Sequence, residues 1–263
     1  MQVSKRETVL AALIVLILVK LAFLPYVPQS QAYHHFADHR ALFGMPNAAD
    51  SLSNLPFLLI GAAGLILLAM NRLDFTHSSS KAWAGVFFTG LIATGIGSTW
   101  YHVAPDDAGL VVDRFGMVVA FAGALGLAGM DRISNRAGRV LGIAAIILGP
   151  VSVLWWQRTG NVAPYGLMQY GVIAILVWIS CLKTLPHDGV HAMPDSARKT
   201  SFHWLALVGA YAIAKLFEAN DEAIFQLTGH VVSGHTLKHL AAASAALVII
   251  LPLMNRNGAR RGA

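Results

Sequence analysis

Eight blocks of apolar residues, near 8–26, 50–70, 83–102, 110–130, 139–156, 164–182, 202–218 and 235–254, punctuate the chain. Each is close to the length a helix needs to cross a bilayer. A backbone in lipid must satisfy its own hydrogen bonds, so repeated blocks of this length predict an all-α integral membrane protein. The charged share, 12%, is about half that of an ordinary soluble domain. The net charge of +6 does not point to nucleic acid, because most Lys and Arg lie in short loops and form no basic stripe with interleaved aromatics. Cys181 is the only cysteine, which excludes an internal disulfide and any Cys-based metal motif.

The loop charges orient the bundle. With the N-terminus in the cytoplasm and eight crossings, one side collects Lys5, Arg6, Arg72, Lys81, Arg132, Arg136, Arg139, Lys183, Arg198, Lys199, Arg256, Arg260 and Arg261. The other side has only Arg40 and Arg158, beside the acids Asp38, Asp106, Asp107, Asp221 and Glu222. The bias places both termini in the cytoplasm. A missed or extra helix would scramble it. The first block follows Lys5 and Arg6 as a signal peptide would, but its core is long and no small-residue cleavage site precedes Pro25 and Pro28. A retained helix is therefore expected, with a cleaved signal as the alternative. Glycines within the blocks, such as Gly61, Gly90 and Gly97, predict close helix packing.

Ionisable groups at membrane depth are expensive and mark candidate sites. Ser98 and His102 close the third block, Asp113 opens the fourth, and His235 and His239 open the eighth. In the topology above, all three helix ends lie on the non-cytoplasmic side. His235 and His239 share a helical face one turn apart, and His102 can add a third ligand. Three protein ligands with an open position is the usual form of a catalytic zinc site. An isolated HxxxH is often only a helix face, His102 alone can donate to a carbonyl, Asp113 can pair with Arg114 or Lys238, and Ser98 can be a helix-end hydrogen-bonder. Their coincidence at one depth favours the metal. A rival set, His34, His35, His39 and Asp38, falls in the long loop after the first block, where water is expected to solvate it. Lys215 and Glu218 are expected to form a structural ion pair or a snorkelling set. His77, His187, His191 and His203 fall near the cytoplasmic side.

At these residues the chain resembles the alkaline ceramidases, in the superfamily of seven-helix membrane hydrolases that includes adiponectin receptors and Per1 proteins. The resemblance runs from about Asn47 to the C-terminus, through Asn47-Ala48-Ala49-Asp50-Ser51-Leu52-Ser53-Asn54, Gly97-Ser98-Thr99-Trp100-Tyr101-His102, Asp113-Arg114 and His235-Thr236-Leu237-Lys238-His239. It implies a seven-helix transmembrane bundle, 31–263, preceded by one additional N-terminal transmembrane helix, 1–30. It implies zinc on His102, His235 and His239, with Asp113 and Ser98 completing a catalytic site for metal-assisted hydrolysis of a lipid amide. Asp113 would be the general base and Ser98 an oxyanion or water partner, with Tyr165 or Tyr170 as a second donor. Ceramide or another N-acyl lipid drawn from the bilayer would be the substrate, and no nucleic acid is expected. Animal members also bind calcium in an acidic segment before their first helix. The matching stretch here, Tyr33 to Arg40, has one carboxylate among cations, so calcium is not expected even with Asp38, Asn47 and Asp50 nearby. Short loops and simple termini suggest a bacterial inner membrane, with the site near the non-cytoplasmic surface. A lipid-sensing receptor with a structural zinc is the alternative. A transporter fits less well, because the charges sit near one surface and do not line a path across.

Overall fold

The computed structural model describes residues 3–73, 75, 78–183 and 203–254. Among them every named element is helical: α1 (Lys5–Ala22), a 3-10 turn (Gln31–His34), α2 (Ala48–Leu52), α3 (Leu55–Ala69), α4 (Ser78–Val103), α5 (Asp107–Arg132), α6 (Asn135–Thr159), α7 (Ala163–Ser180), α8 (Trp204–Ala219), α9 (Asp221–Leu227), α10 (Gly234–Ser244) and α11 (Leu247–Met254). His77, His187, His191, Arg198, Lys199, Arg256, Arg260 and Arg261 lie outside the described residues.

All eight apolar blocks are helical, two of them interrupted. The second divides into α2 and α3, and the last breaks into α10 and α11 at Ala245–Ala246. Six segments are long and apolar enough to cross a membrane: Ala48–Ala69, Ser79–Val103, Asp107–Arg132, Asn135–Thr159, Ala163–Ser180 and Gly234–Met254. The other two blocks have visible reasons for falling outside that set. α1 carries Lys5, Arg6, Glu7 and Lys20 within its 18 residues, and α8 has only 16 residues.

Polar residues between the blocks start the helices. The Asp106 side chain accepts from Gly109 N, Ser134 from Ala137 N and Ser233 from Thr236 N, each filling an orphan donor of the following first turn. Gly160, at φ 73°, closes α6 in the left-handed conformation. α5 forms the centre, buried along most of its length. It packs on α4 through glycines. A Cβ added at Gly97 would lie 2.7 Å from Val112 O and 3.0 Å from Asp113 Cα, so only glycine permits this crossing. That contact holds Ser98 beside the start of α5. The outward faces keep large apolar side chains exposed, among them Leu59, Ile96, Ile147, Leu154 and Leu216, as lipid contact requires.

The two ends of the bundle differ. At one end Ser134 Oγ donates to Glu7 and Trp204 Nε1 to Asp131. At the other, Val27 N donates to Asn161 Oδ1, Gln31 Nε2 to Asp107 and Tyr33 OH to Glu218. α1, α6 and α8 thus run from the first end to the second. His102, Asp113, His235 and His239 gather at the second.

Candidate metal centre

His102 sits in the last turn of α4, and His235 and His239 in the first two turns of α10. All three are buried, and one ligand atom from each lies within 4.8 Å of the others. Their ring centroids are separated by 4.8, 4.9 and 4.9 Å. His102 Nε2 and His239 Nε2 are 3.3 Å apart. Two nitrogens on a tetrahedral zinc, at Zn–N of about 2.0–2.1 Å, are roughly 3.3–3.4 Å apart, so this pair already has the spacing of metal ligands.

Neighbours prepare the nitrogens. Ser53 Oγ donates to Asp50 O at 2.8 Å and lies 2.7 Å from His239 Nδ1. Having spent its proton, Ser53 accepts from Nδ1–H, which leaves a bare lone pair on His239 Nε2 facing His102; the tautomer follows from the network. Asp50 is fully buried and accepts from Ser233 Oγ and Thr236 Oγ1, which ties α2 to the start of α10. Asn47 Nδ2 donates to His102 O. His102 Nδ1 is buried without a partner. Four side-chain atoms are in that state among the described residues, the others being Asp50 Oδ2, Asn54 Oδ1 and Arg114 Nη1, and all belong to residues around this site. Buried polar atoms are normally bonded, so their concentration sets this end of the bundle apart from the rest of the described structure.

Ser98 Oγ is 3.4 Å from His239 Nε2, and its hydroxyl also interacts with the Asp113 carboxylate. Asp113, 8% exposed, lines the same pocket as Ser98 and His239. That pocket continues past Phe87, Leu91, Phe121 and Leu176 into the bundle. The two tyrosines considered from sequence separate: Tyr165 is buried and lines the pocket, whereas Tyr170 is 60% exposed and does not.

Lys215 and Glu218 form the expected ion pair, and both belong to the pocket wall. Glu218 also accepts from Lys238 Nζ at 2.8 Å and from Tyr33 OH at 3.0 Å. Burial and the Glu218 charge push the Tyr33 phenol well above its usual pKa, so it remains a donor. One expectation needs correction: the loop after α1 is not freely solvated. His35 and His39 are exposed, but Phe36 and Asp38 are buried and His34 bonds Tyr101 OH and Asp107. These residues do not converge into a ligand set; the group so placed among the described residues is the one on α4 and α10. The loop instead covers that group. Phe36 lies 4.5 Å from the His102 ring and 4.7 Å from the His235 ring, centroid to centroid. Asp221 holds the cover down by accepting from both Ala37 N and His235 N. A buried apolar residue within a partly exposed loop is a folding consequence of residues distant in sequence, which is why loop composition alone suggested solvation.

Lys238 was visible in the sequence only as a partner for Asp113. In the structure its Nζ lies 3.1 Å from His235 Nε2. An ammonium and a metal dication compete for that nitrogen, so binding through His235 Nε2 requires Lys238 to withdraw toward Glu218. Burial, imidazole donors, the His102–His239 spacing and the Ser53 support suit a borderline metal such as zinc. The chain matches no protein-family model, and no curated protein matches it.

Proposed function

We propose that this chain is a zinc-dependent hydrolase of the alkaline ceramidase type, embedded as a seven-helix bundle with one additional N-terminal helix in a bacterial inner membrane. It would cleave the amide bond of ceramide or a related N-acyl lipid and release a fatty acid. One observation carries the reading: three buried histidines cluster within a bundle of apolar helices, and one of them, His239, lines a largely apolar pocket together with Ser98 and Asp113.

His102, His235 and His239 would hold the zinc, which supplies Lewis acidity that polarises an amide carbonyl and lowers the pKa of water. The apolar reach of the pocket takes an acyl chain, and binding there positions the amide at the histidine end. Asp113 accepts the proton of the attacking water and returns it to the departing amine nitrogen. Ser98, between Asp113 and His239, donates to the oxygen on which charge develops. Phe36 shields the histidines on the loop side, so bulk water and soluble amides meet an apolar cover.

The test is metal analysis of the purified full chain together with fatty-acid release from a panel of N-acyl lipids. The expected result is about one zinc per chain and measurable release, both lost in His239→Ala and both retained in His35→Ala. Zinc without release from any lipid amide would favour the receptor reading. Zinc retained by His239→Ala would retire the site.

A further inference from the structure

Arg114 is not needed for the chemistry above, yet it occupies the pocket wall in an unusual state. Its side chain is 6% exposed and lines the pocket that reaches His239. The guanidinium carbon lies 4.2 Å from the Trp156 ring centroid, 4.5 Å from Tyr165 and 5.9 Å from Tyr33. Nη2 donates to Gln29 Oε1 at 2.7 Å, and Nη1 is buried without a partner. Aromatic faces and one amide hold the cation in place without neutralising it. Asp113 attracts it through space but accepts none of its hydrogen bonds.

The surrounding charges sharpen the point. Three cations (Arg114, Lys215, Lys238) and two carboxylates (Asp113, Glu218) line the pocket. Glu218 is shared by the two lysines. A rigid guanidinium with an idle N–H edge is suited to a carboxylate, whose two oxygens match its fork. Burying that edge with nothing to bond is costly, so a ligand that supplies the oxygens gains what the empty pocket lacks. Gln29 and Tyr33 mark this wall as the side nearest the loops. The apolar depth around Phe87, Leu91 and Leu176 remains for a hydrocarbon chain.

We infer that Arg114 is the anion-recognising residue of this pocket and that its ligand is a long-chain lipid bearing a carboxylate. The inference rests on the lipid-amide reading for the hydrocarbon part of the ligand. Two sources share the chemistry: the acidic headgroup of an N-acyl amino acid, and the fatty acid left after cleavage. In either case a neutral N-acyl lipid leaves Arg114 Nη1 unpaired.

Direct binding to the purified full chain tests this with three probes that share the palmitoyl chain: N-palmitoylglycine, palmitate and the neutral N-palmitoylethanolamine. The wild type is expected to bind at least one carboxylate probe roughly ten- to a hundredfold more tightly than the neutral one, the range for a charge-assisted hydrogen bond. Preference for N-palmitoylglycine identifies the headgroup as the source, and preference for palmitate alone identifies the product. Arg114→Gln is expected to lose affinity for the favoured carboxylate by a similar factor, with a smaller change for the neutral probe. Arg114→Lys should fall between, keeping charge without the fork. Equal affinity of the wild type for all three probes would overturn the inference, whether or not any variant folds. So would an Arg114→Gln protein that keeps the carboxylate preference, since the anion would then sit elsewhere. Fatty-acid release is scored separately: if no lipid amide is cleaved, the hydrolase reading fails while the binding comparison still decides this one.

Discussion

In the proposed hydrolase, Asp113 is the residue on which catalysis and metal binding part. Three histidines already make a ligand set, and Asp113 meets that set through Ser98. Asparagine keeps its shape and hydrogen-bonding reach but takes no proton. Asp113→Asn is therefore expected to keep its zinc and lose roughly 10²- to 10⁴-fold in turnover, measured as fatty-acid release alongside metal content. Loss of the zinc would make Asp113 a ligand or a ligand support. A second residue-scale test concerns Ser53, whose oxygen fixes the His239 tautomer. Ser53→Ala should weaken zinc affinity by roughly 10- to 100-fold, read by chelator competition, because the ring loses the partner that orients it. An unchanged affinity would mean that packing alone sets the His239 ring.

Among the elements, the loop after α1 behaves as a strap. Asp38 is fully buried and bonds Arg40 at 2.8 and 2.6 Å, while Arg40 also donates to Val231 O across to the loop before α10. The Arg40 guanidinium holds the Asp38 carboxyl below its usual pKa. A depressed carboxylate stabilises the fold above its unfolded pKa, here the ordinary value of 3.8, and loses that contribution as pH falls through the lowered one. Hydrogen exchange at Ala37 N, which donates to Asp221, should show protection that is steady from neutral pH to about 4 and falls below it, once intrinsic exchange is corrected for. Arg40→Ala should lower the protection already at neutral pH. Protection unchanged in that variant would show that Asp221 alone secures the strap.

For the whole molecule, contacts between loops and helix ends define the two ends of the bundle. Glu7 meets Ser134 and Asp131 meets Trp204 at one end, while Gln31 meets Asp107 and Val27 meets Asn161 at the other. With the cationic end in the cytoplasm, a cysteine at Ala108 should react with a membrane-impermeant thiol reagent in intact cells, and one at Asn135 should not. Both positions are exposed, so a reversed pattern would report orientation and would put the histidine site on the cytoplasmic side.

What the sequence by itself determined is the helical class, the positions of the apolar blocks and the depth at which His102, Asp113, His235 and His239 lie. Those depend on local quantities: how many apolar residues run together, how far apart two histidines stand on one helix, and how costly an ionisable side chain is in lipid. Hence the three histidines were legible before any contact was known. Tertiary structure alone decided what surrounds them. Ser53 reaches His239 across 186 positions, Tyr33 reaches Glu218 across 185, and Phe36 lies on rings from two helices. Loop polarity suggested water over Tyr33 to Arg40, but burial depends on which helix ends a loop can cover. The idle Nη1 of Arg114 is likewise invisible in the sequence, because an unpaired atom is defined by its neighbours, and packing chooses those.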